Sequence, residues 1–386
     1  MTVAPLFVLL SVLFFATGLQ TAPAAVPVDI PASIRNLGSF DFDVRTSAAR
    51  TLRRSPAAAT IPLLEQTARS SPDDYARFRA LVLLSGLDSA ATSRVAAGLI
   101  GDRDDRIRTV VYQWFEHEPK ADVLPRLIEA LPKETSEFVR PALTRAIAAY
   151  HADPRAQAAL RPLVLKGEDL FRGSVITALG EYQGAYALDD IIAVAQLEGP
   201  LQDDAVTAIG RIGNSASRAT IAALQTSAPA DLQPTVSAAL CLLKIDCPAR
   251  VAYITETLKF AMVTDGQQPL FRGAVHALSA LARAGHQAAI DALLDAGLAA
   301  NGTARDELTL AVGGVVLREP PLALSAFEAR KQPPALGRLF QDAFDMLSED
   351  FEEERFGSAV RRAFWAAPEG SPRRQAAQVL LDTLEF

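Results

Sequence analysis

Apolar residues recur with a helical period in eight segments of the chain, which follow one another at intervals of 29 to 38 residues. In each segment the first residue and the positions four and eight residues later are apolar, except that Gly86 interrupts the second segment. Such positions share one face of an α-helix, whereas a strand would need alternation, which is absent. The pattern therefore predicts eight amphipathic helices, which start near Val44, Phe78, Ile107, Val139, Phe171, Leu201, Leu232 and Leu270.

Small residues stand where a neighbouring helix would have to come close. Seven positions into the last five segments the residue is always alanine: Ala146, Ala178, Ala208, Ala239 and Ala277. A second set of helices is predicted between these segments, because proline-containing turns precede further apolar runs. Examples of these turns are Ser55-Pro56, Asp153-Pro154 and Cys247-Pro248. The repeating unit is therefore a helical hairpin, and one hairpin buries its apolar face only by stacking on the next.

An apolar residue followed by arginine opens the first five of the eight helices: Val44-Arg45, Phe78-Arg79, Ile107-Arg108, Val139-Arg140 and Phe171-Arg172. The preceding helices carry a proline in the sequences IPLL (61–64) and LPRL (124–127). With these motifs the sequence resembles the HEAT-repeat family, including its short bacterial, phycobilisome-lyase-like branch. The resemblance covers residues 34–318 and implies a right-handed, armadillo-like α-solenoid. It departs from the pattern where Gln202, Gln233 and Phe271 replace the arginine.

The regular pattern ends after residue 318, where Pro320-Pro321 and Pro333-Pro334 interrupt it. We therefore expect an all-α chain with a signal peptide at 1–24, a linker at 25–33 and about eight hairpins over 34–318. Residues 319–386 should form an irregular cap of two to four helices, since terminal repeats are usually atypical. The acidic run SEDFEEER (348–355) lacks the spaced ligands of a calcium loop, so we expect a solvated helical face there.

The first residues resemble a secretory leader. Residues 3–18 are almost entirely apolar, and no charged side chain precedes Asp29. Sixteen helical residues span about 24 Å, less than the hydrocarbon core of a bilayer. Ala22-Pro23-Ala24 then offers small residues to a signal peptidase, which predicts cleavage after Ala24 and export to the periplasm or the medium. The alternatives are an uncleaved membrane anchor and a buried first helix.

The charge balance bears on the class of partner. The chain has 45 acidic and 38 basic residues and a formal net charge of −7. Nucleic-acid-binding domains usually carry an excess of lysine and arginine, because neutralised phosphates supply the affinity. We therefore expect no nucleic-acid partner. Contact with a membrane is expected only through the N-terminal segment, if it is uncleaved.

No catalytic, cofactor-binding or metal-binding motif is apparent. The four histidines do not form a zinc-ligand pattern, and glycine-rich phosphate loops and nucleophile elbows are missing. His117 and His151 are expected to be solvated turn residues. The only two cysteines, Cys241 and Cys247, are compatible with one disulfide. They can bond only if their helix ends near Leu243 and the chain turns back, because six helical residues rise about 9 Å.

Two features offer candidate partner contacts on the predicted second helices. The arginine column, including Arg108 and Arg140, could grip carboxylates or phosphates, although pairing with nearby acidic residues is the favoured interpretation. Tyr112 and Trp114 belong to the densest aromatic patch, and Trp114 occupies the position of the alanine column. Its indole either packs in the core or is exposed as a contact residue.

These observations favour an exported, non-catalytic scaffold that binds a protein or peptide along the solenoid surface. This hypothesis rests on analogy with other proteins of the same fold, and such an analogy does not identify a partner. Resemblance to the phycobilisome-lyase-like branch implies an alternative, an enzyme acting on a tetrapyrrole. A structural component of the cell envelope is a third hypothesis.

Overall fold

The computed structural model describes residues 29–330, 333–347 and 351–384, and all regular secondary structure in these ranges is helical. The predicted leader and the cleavage after Ala24 lie outside the described residues. The first four hairpins comprise α1 (Ile30–Asn36) and α2 (Phe42–Arg54), α3 (Ala57–Ser70) and α4 (Asp74–Leu87), α5 (Ser89–Gly98) and α6 (Asp105–His117), and α7 (Leu124–Ala130) and α8 (Arg140–Ala148).

The next four hairpins comprise α9 (Pro154–Leu160) and α10 (Asp169–Glu181), α11 (Leu188–Ala195) and α12 (Gln202–Ile212), α13 (Arg218–Ser227) and α14 (Gln233–Leu242), and α15 (Cys247–Val263) and α16 (Gln268–Arg283). A ninth hairpin follows, α17 (Gln287–Ala299) and α18 (Gly302–Arg318). The chain continues with α19 (Pro320–Ala329), α20 (Pro333–Met346), α21 (Phe351–Ala366) and α22 (Pro372–Thr383). Short 3-10 segments occupy Arg161–Val164, Ala185–Ala187 and Ser215–Ser217.

The second helices of the hairpins stack side by side, which confirms the predicted all-α solenoid. Seven of the eight predicted starting residues lie at the N-cap or in the first turn of a second helix, and the eighth, Phe78, is the fifth residue of α4. The register is therefore the predicted one even where Gln202, Gln233 and Phe271 replace arginine. The alanines of the small column are at most 1% exposed, as the close approach of neighbouring helices requires.

Side chains in the connecting loops fix where the second helices begin. The carboxylates of Asp41, Asp73 and Asp104 each accept hydrogen bonds from two backbone N–H groups in the first turns of α2, α4 and α6. An aspartate at this position satisfies donors that have no partner within the helix. The loop sequences therefore set the start of these three second helices.

The C-terminal helices do more than cover the last hairpin, because α21 returns to the beginning of the array. It packs against α4 and α6 as well as α18. Phe351 joins the hydrophobic core of the first hairpins, and its ring meets that of Trp114 edge-on at 6.2 Å between centroids. The concave side of the solenoid is therefore partly filled by the chain itself.

Gly86 makes the return of α21 possible. It interrupts the apolar column of the second segment, and a Cβ atom there would lie 2.3 Å from Glu354 Oε1. Glu354 occupies this space and accepts hydrogen bonds from Arg53 Nε at 3.1 Å and Arg361 Nη2 at 2.8 Å. The space that a side chain at position 86 would occupy is thus filled by Glu354, which lies 268 positions further along the chain.

The predicted solvated face of the acidic run was wrong, because Glu352 and Glu354 are only 7% and 2% exposed. Burying a carboxylate is costly unless cations pair with it. Glu352 accepts a hydrogen bond from Arg355 Nη1 at 3.1 Å, and its other oxygen lies 3.1 Å from His117 Nε2. His117 is therefore not the solvated turn residue that we expected, whereas His151 is exposed.

No single helix among the described residues has both the length and the apolar composition to span a bilayer. The pair α18 and α19 meets those two criteria jointly but bends by 113° between its members.

Candidate functional site

The arginine column supports the loops between helices. Arg140 Nε donates to the backbone carbonyl of Glu134 at 2.8 Å, and Arg172 Nε donates to that of Val164 at 3.0 Å. Arg108 forms ion pairs with Asp105 and Glu134 at 2.7 and 2.8 Å. The two glutamines that replace arginine also support the preceding loops. The side-chain amides of Gln202 and Gln233 donate hydrogen bonds to the backbone carbonyls of Ala195 and Ala228. Arg108 and Arg140 thus bind their own chain.

Tyr112 and Trp114 are covered by this chain rather than presented to a partner. They are 1% and 4% exposed. The Tyr112 hydroxyl donates to the Ile100 carbonyl at 2.9 Å, and Trp114 Nε1 donates to Ser93 Oγ at 3.1 Å. Of the two interpretations of Trp114, the structure has the buried one. A partner could reach the indole only if α21 moved away.

Cys241 and Cys247 are bonded to each other, with Cα atoms 4.1 Å apart. The condition set by the sequence is met, because α14 ends at Leu242 and the next residues turn back. Lys244 and Asp246 adopt positive φ angles of 65° and 47° to make this turn. His286 Nδ1 lies 3.5 Å from Cys247 Sγ. The three side chains have a spacing that a metal could bridge, but sulfurs engaged in a disulfide are not thiolate ligands.

A charged group fills the middle of the concave side and was not foreseen from the sequence. We call it the central cluster; its members are Glu116, Arg145, Glu181, Arg211, Arg283 and Arg318. All six lie at or near the C-terminal ends of second helices, from α6 to α18. Charged residues in these last turns were the available signal, but their convergence depends on the curvature of the whole array.

Two carboxylates hold the central cluster together. Glu116 accepts hydrogen bonds from Arg145 Nε at 3.1 Å, from the Tyr182 hydroxyl at 2.9 Å and from Arg318. Glu181 accepts one from Arg283 Nη2 and lies 3.5 Å from Arg318 Nε and 3.8 Å from Arg211 Nη1. Arg318, from the ninth hairpin, therefore joins carboxylates of the third and fifth hairpins.

The electrostatics of the cluster follow from burial and from an excess of cations. Burial alone would raise the pKa of Glu181, but Arg318, Arg283 and Arg211 outweigh it and hold that pKa below its ordinary value. Burial lowers the pKa of Arg211 to about 10, and the neighbouring Arg283 contributes to this decrease. Burial and the Glu116 carboxylate raise the pKa of Tyr182. Glu181 is consequently ionised and unsuited to donating a proton at neutral pH.

A cavity of about 520 Å³ opens onto this cluster and follows the exposed side of α10. We call it the α10 pocket. Its charged lining residues are Arg145, Arg283 and Arg318 together with Asp169, Glu181 and Asp204. Its other lining residues are Pro141, Leu170, Gly173, Ser174, Thr177, Pro200 and Leu201. Leu170 is 65% exposed at the rim. The pocket thus combines charged side chains of both signs with apolar ones, as ligand sites often do.

Asp204 lies beside Gly173 and Thr177 of α10, and the environment of its carboxyl group differs from that of Glu181. Burial raises the pKa of Asp204 to about 6; Asp203 adds to the increase, and His276 opposes it. His276 Nε2 lies 3.1 Å from Thr207 Oγ1 and 3.4 Å from Asp203 Oδ2. In a catalytic triad, hydroxyl and carboxylate bind opposite nitrogens of the imidazole. Here both approach Nε2, so the geometry is not that of a triad.

No protein-family model and no curated protein sequence matches the chain. Solved structures with similar folds include the complex of CpcE and CpcF of phycocyanin lyase from Nostoc sp. PCC7120, with 17% identity and a TM-score of 0.34 over 70% of this chain and 99% of that one. The TSC2 N-terminus has 13% identity and a TM-score of 0.29 over 92% and 99%. Kap121p has 14% identity and a TM-score of 0.36 over 93% of this chain, which spans 41% of the length of Kap121p.

These neighbours are HEAT- and armadillo-type solenoids. Identities and TM-scores this low say nothing about the family or the activity of this chain. The described residues form an all-α solenoid of stacked helical hairpins, and its C-terminal helix α21 returns to the first hairpins.

Proposed function

We propose that the protein is an exported, non-catalytic scaffold that binds a protein or peptide segment in the α10 pocket. The observation that carries this proposal is the division of the concave side. Helix α21 covers α4 and α6, and Arg318 of α18 reaches Glu116 on α6, while the surface of α10 between Leu170 and Glu181 stays open. Extended surfaces of solenoids are their usual binding sites. The site is therefore shifted from Arg108, Tyr112, Trp114 and Arg140 towards the middle of the array.

The absence of catalysis is part of the proposal. It is supported by the pairing of Glu181 with three arginines and by the shared contact of Thr207 and Asp203 with one nitrogen of His276. A tetrapyrrole-modifying enzyme, as the phycocyanin lyase neighbour would suggest, predicts a purified protein that retains or takes up a pigment. Ultraviolet-visible absorbance of the protein, before and after incubation with bilin, tests this alternative.

Export is proposed from the leader-like residues 1–24. The mature protein should begin at Ala25 and should be recovered from the periplasm or the medium. Intact-mass measurement of the protein from each cell fraction tests this. A mature chain that retains residues 6–15 would instead favour a membrane-anchored form, and fractionation with the envelope would favour the structural role.

The binding site is tested by photo-crosslinking in the native host. A photoreactive amino acid at Leu170, on the rim of the α10 pocket, should give a discrete adduct whose partner is identified by mass spectrometry. The matched control places the same amino acid at Tyr253, which is 42% exposed on α15 and does not line the pocket. Equal adducts at both positions, or none at Leu170, would contradict the proposed site.

A further inference from the structure

The disulfide between Cys241 and Cys247 joins two sulfurs with different surroundings. Cys241 is 2% exposed and is the second-to-last residue of α14. Cys247 is the first residue of α15, and its side chain is only half-buried. His286 is also half-buried, and the two sulfurs and one of its ring nitrogens lie within 4.8 Å of one another. A reagent from solution can therefore reach the sulfur of Cys247 more readily than that of Cys241.

A cavity of about 850 Å³ opens onto Cys247 between α15 and α17. Its lining includes Cys247, Val251 and Thr255 of α15, together with His286. From Cys247 to Thr255 a helix rises about 12 Å, which corresponds to three or four residues of extended polypeptide. None of its lining residues belongs to the α10 pocket. A segment of a partner chain can thus lie beside the sulfur of Cys247, at a place separate from the α10 pocket.

The surroundings of the two sulfurs also favour a negative charge on Cys247 over one on Cys241. His286 Nδ1 lies 3.5 Å from Cys247 Sγ, where an N–H group can donate a hydrogen bond to a thiolate. Cys247 stands at the positive end of the dipole of α15, whereas Cys241 stands at the negative end of that of α14. The preceding Asp246 is exposed and does not cap α15 with its side chain. After reduction, Cys247 is thus the better thiolate.

We propose that the disulfide between Cys241 and Cys247 is redox-active and exchanges with a pair of thiols on a partner polypeptide. A partner thiolate attacks Cys247 Sγ and forms a mixed disulfide, while Cys241 leaves and takes up a proton. The second partner thiolate then attacks the partner's sulfur in the mixed disulfide, and Cys247 leaves as a thiolate stabilised by His286. Of the two protons that the partner thiols release, one stays on Cys241 and the other enters the solvent.

The exchange oxidises the partner's two thiols to a disulfide and reduces the pair in this chain. It goes beyond the proposed scaffold function and does not depend on it, because it uses another part of the molecule. Each chain accepts two electrons once, so the reaction is stoichiometric and agrees with a protein that has no catalytic turnover.

The exchange is measured with the full-length mature protein in its oxidised form. The probe is a reduced, N-acetylated hexapeptide with two cysteines separated by two residues. After acid quenching and alkylation, mass spectrometry should show oxidised peptide and reduced protein in equal amounts. A structural disulfide resists such thiols, so a protein that stays oxidised in about a tenfold excess of the peptide would overturn the proposal. The circular dichroism should not change, and loss of helix in step with reduction would equally contradict exchange in the folded state.

Variants with one cysteine identify the reacting sulfur. Cys241→Ser leaves only Cys247, and Cys247→Ser leaves only Cys241. With oxidised glutathione as the probe, Cys241→Ser should form the mixed disulfide at least about tenfold faster than Cys247→Ser, because its thiolate is both accessible and stabilised. Intact-mass measurement over time gives both rates. Equal rates, or a faster reaction in Cys247→Ser, would overturn the assignment of Cys247 as the exchanging sulfur.

His286 provides a readout that exposure of the sulfur alone would not move. His286→Gln should lower the equilibrium constant for reduction by the peptide about tenfold, because the Cys247 thiolate loses a hydrogen bond. His151→Gln, at an exposed histidine in another hairpin, is the matched control and should leave the constant unchanged. Both variants keep the two cysteines, so this test remains valid if a single-cysteine variant fails to fold. An unchanged constant in His286→Gln would refute the proposed site.

Discussion

At the scale of single residues, similar side chains serve different purposes according to their place on the second helix. Arg140 and Arg172, in the first turn, support the loop before their helix through main-chain carbonyls. Arg283 and Arg318, in the last turn, reach across the concave side to carboxylates of distant hairpins. The first role depends on local sequence and was predictable from the repeat. The second depends on which helix ends meet, which no periodicity reveals.

The close packing of α21 against Gly86 can be tested by adding one methyl group at this position. Gly86→Ala should lower the free energy of unfolding by about 1 to 3 kcal/mol, because the new Cβ collides with the buried Glu354 side chain. Gly314→Ala is the control: it is also within a helix but has no neighbouring atom within 4 Å of the new Cβ. That substitution should stabilise by up to about 1 kcal/mol. Urea denaturation measures both, and equal effects would contradict the docking of α21.

Asp204 should make stability depend on pH. Its pKa is raised from 3.8 to about 6 in the folded protein, where Asp203, His276 and Thr177 face it. The folded state therefore holds this proton more tightly, and its contribution to stability is lost as the pH rises from about 4 to 6. Asp204→Asn should be more stable than the parent at pH 7.5 by on the order of 1 kcal/mol. Near pH 4 the difference should largely disappear.

Thermal melting across this range checks the assignment. Asp190→Asn, which removes a carboxylate paired with Arg161 outside the pocket, serves as the comparison. A difference between Asp204→Asn and the parent that is constant with pH would mean that Asp204 does not titrate as described.

At the scale of helices, the sequence predicted the second helices well because their apolar stripes face immediate neighbours in the array. All eight second helices were confirmed, and seven of them, including those without arginine, begin within one turn of the predicted residue. The acidic helix α21 was misjudged for a physical reason. A carboxylate-rich helix is normally solvated, and the side chains that pair with the buried Glu352 and Glu354 come from α2, α6 and α21 itself. Their contributions can be recognised only once the fold has brought them together.

The docking of α21 can be followed through tryptophan fluorescence. The chain has two tryptophans, Trp114 under α21 and Trp365, which is 74% exposed. In a Trp365→Phe background the emission reports Trp114 alone. Phe351→Ala should then shift this emission to longer wavelength and destabilise the protein by about 3 kcal/mol, because it removes a buried ring from the core. Phe260→Ala, at a position 53% exposed on α15, should change neither quantity measurably. An unshifted spectrum in Phe351→Ala would contradict the packing of α21 on α6.

At the scale of the whole molecule, stability has two sources, whereas a linear repeat array has only the first of them. Neighbouring hairpins stack on each other, while α21 and the Arg318 side chain of α18 add contacts with distant ones. The first source follows from the repeat pattern. The second explains why the candidate site is the α10 pocket, since the same closure that buries Trp114 leaves only part of the concave surface accessible. The sequence indicated a solenoid but contained no periodic signal for this closure.

A truncated protein separates the two sources of stability. A fragment of residues 29–214 should remain helical by circular dichroism, because each of its hairpins keeps its neighbours. It should unfold at lower denaturant concentration than the whole chain, and its Trp114 emission should lie at longer wavelength, since α21 is missing. An unfolded fragment would contradict stabilisation by nearest-neighbour stacking. A fragment as stable as the parent would contradict the contribution of closure.

The ion pair between Arg53 and Glu354 joins residues 301 positions apart and so constrains how the chain folds as it is made. Hairpins can form one after another during synthesis, but the second and third cannot bury their inner faces until residue 351 has emerged. Contacts at such separation slow folding, because the entropy of closing a long loop is lost before the contacts form and stabilise the chain. The second and third hairpins therefore keep an apolar groove open around Trp114 for more than half of the period of synthesis. In that interval a chaperone, or a second nascent copy supplying its own α21, would find the same groove available.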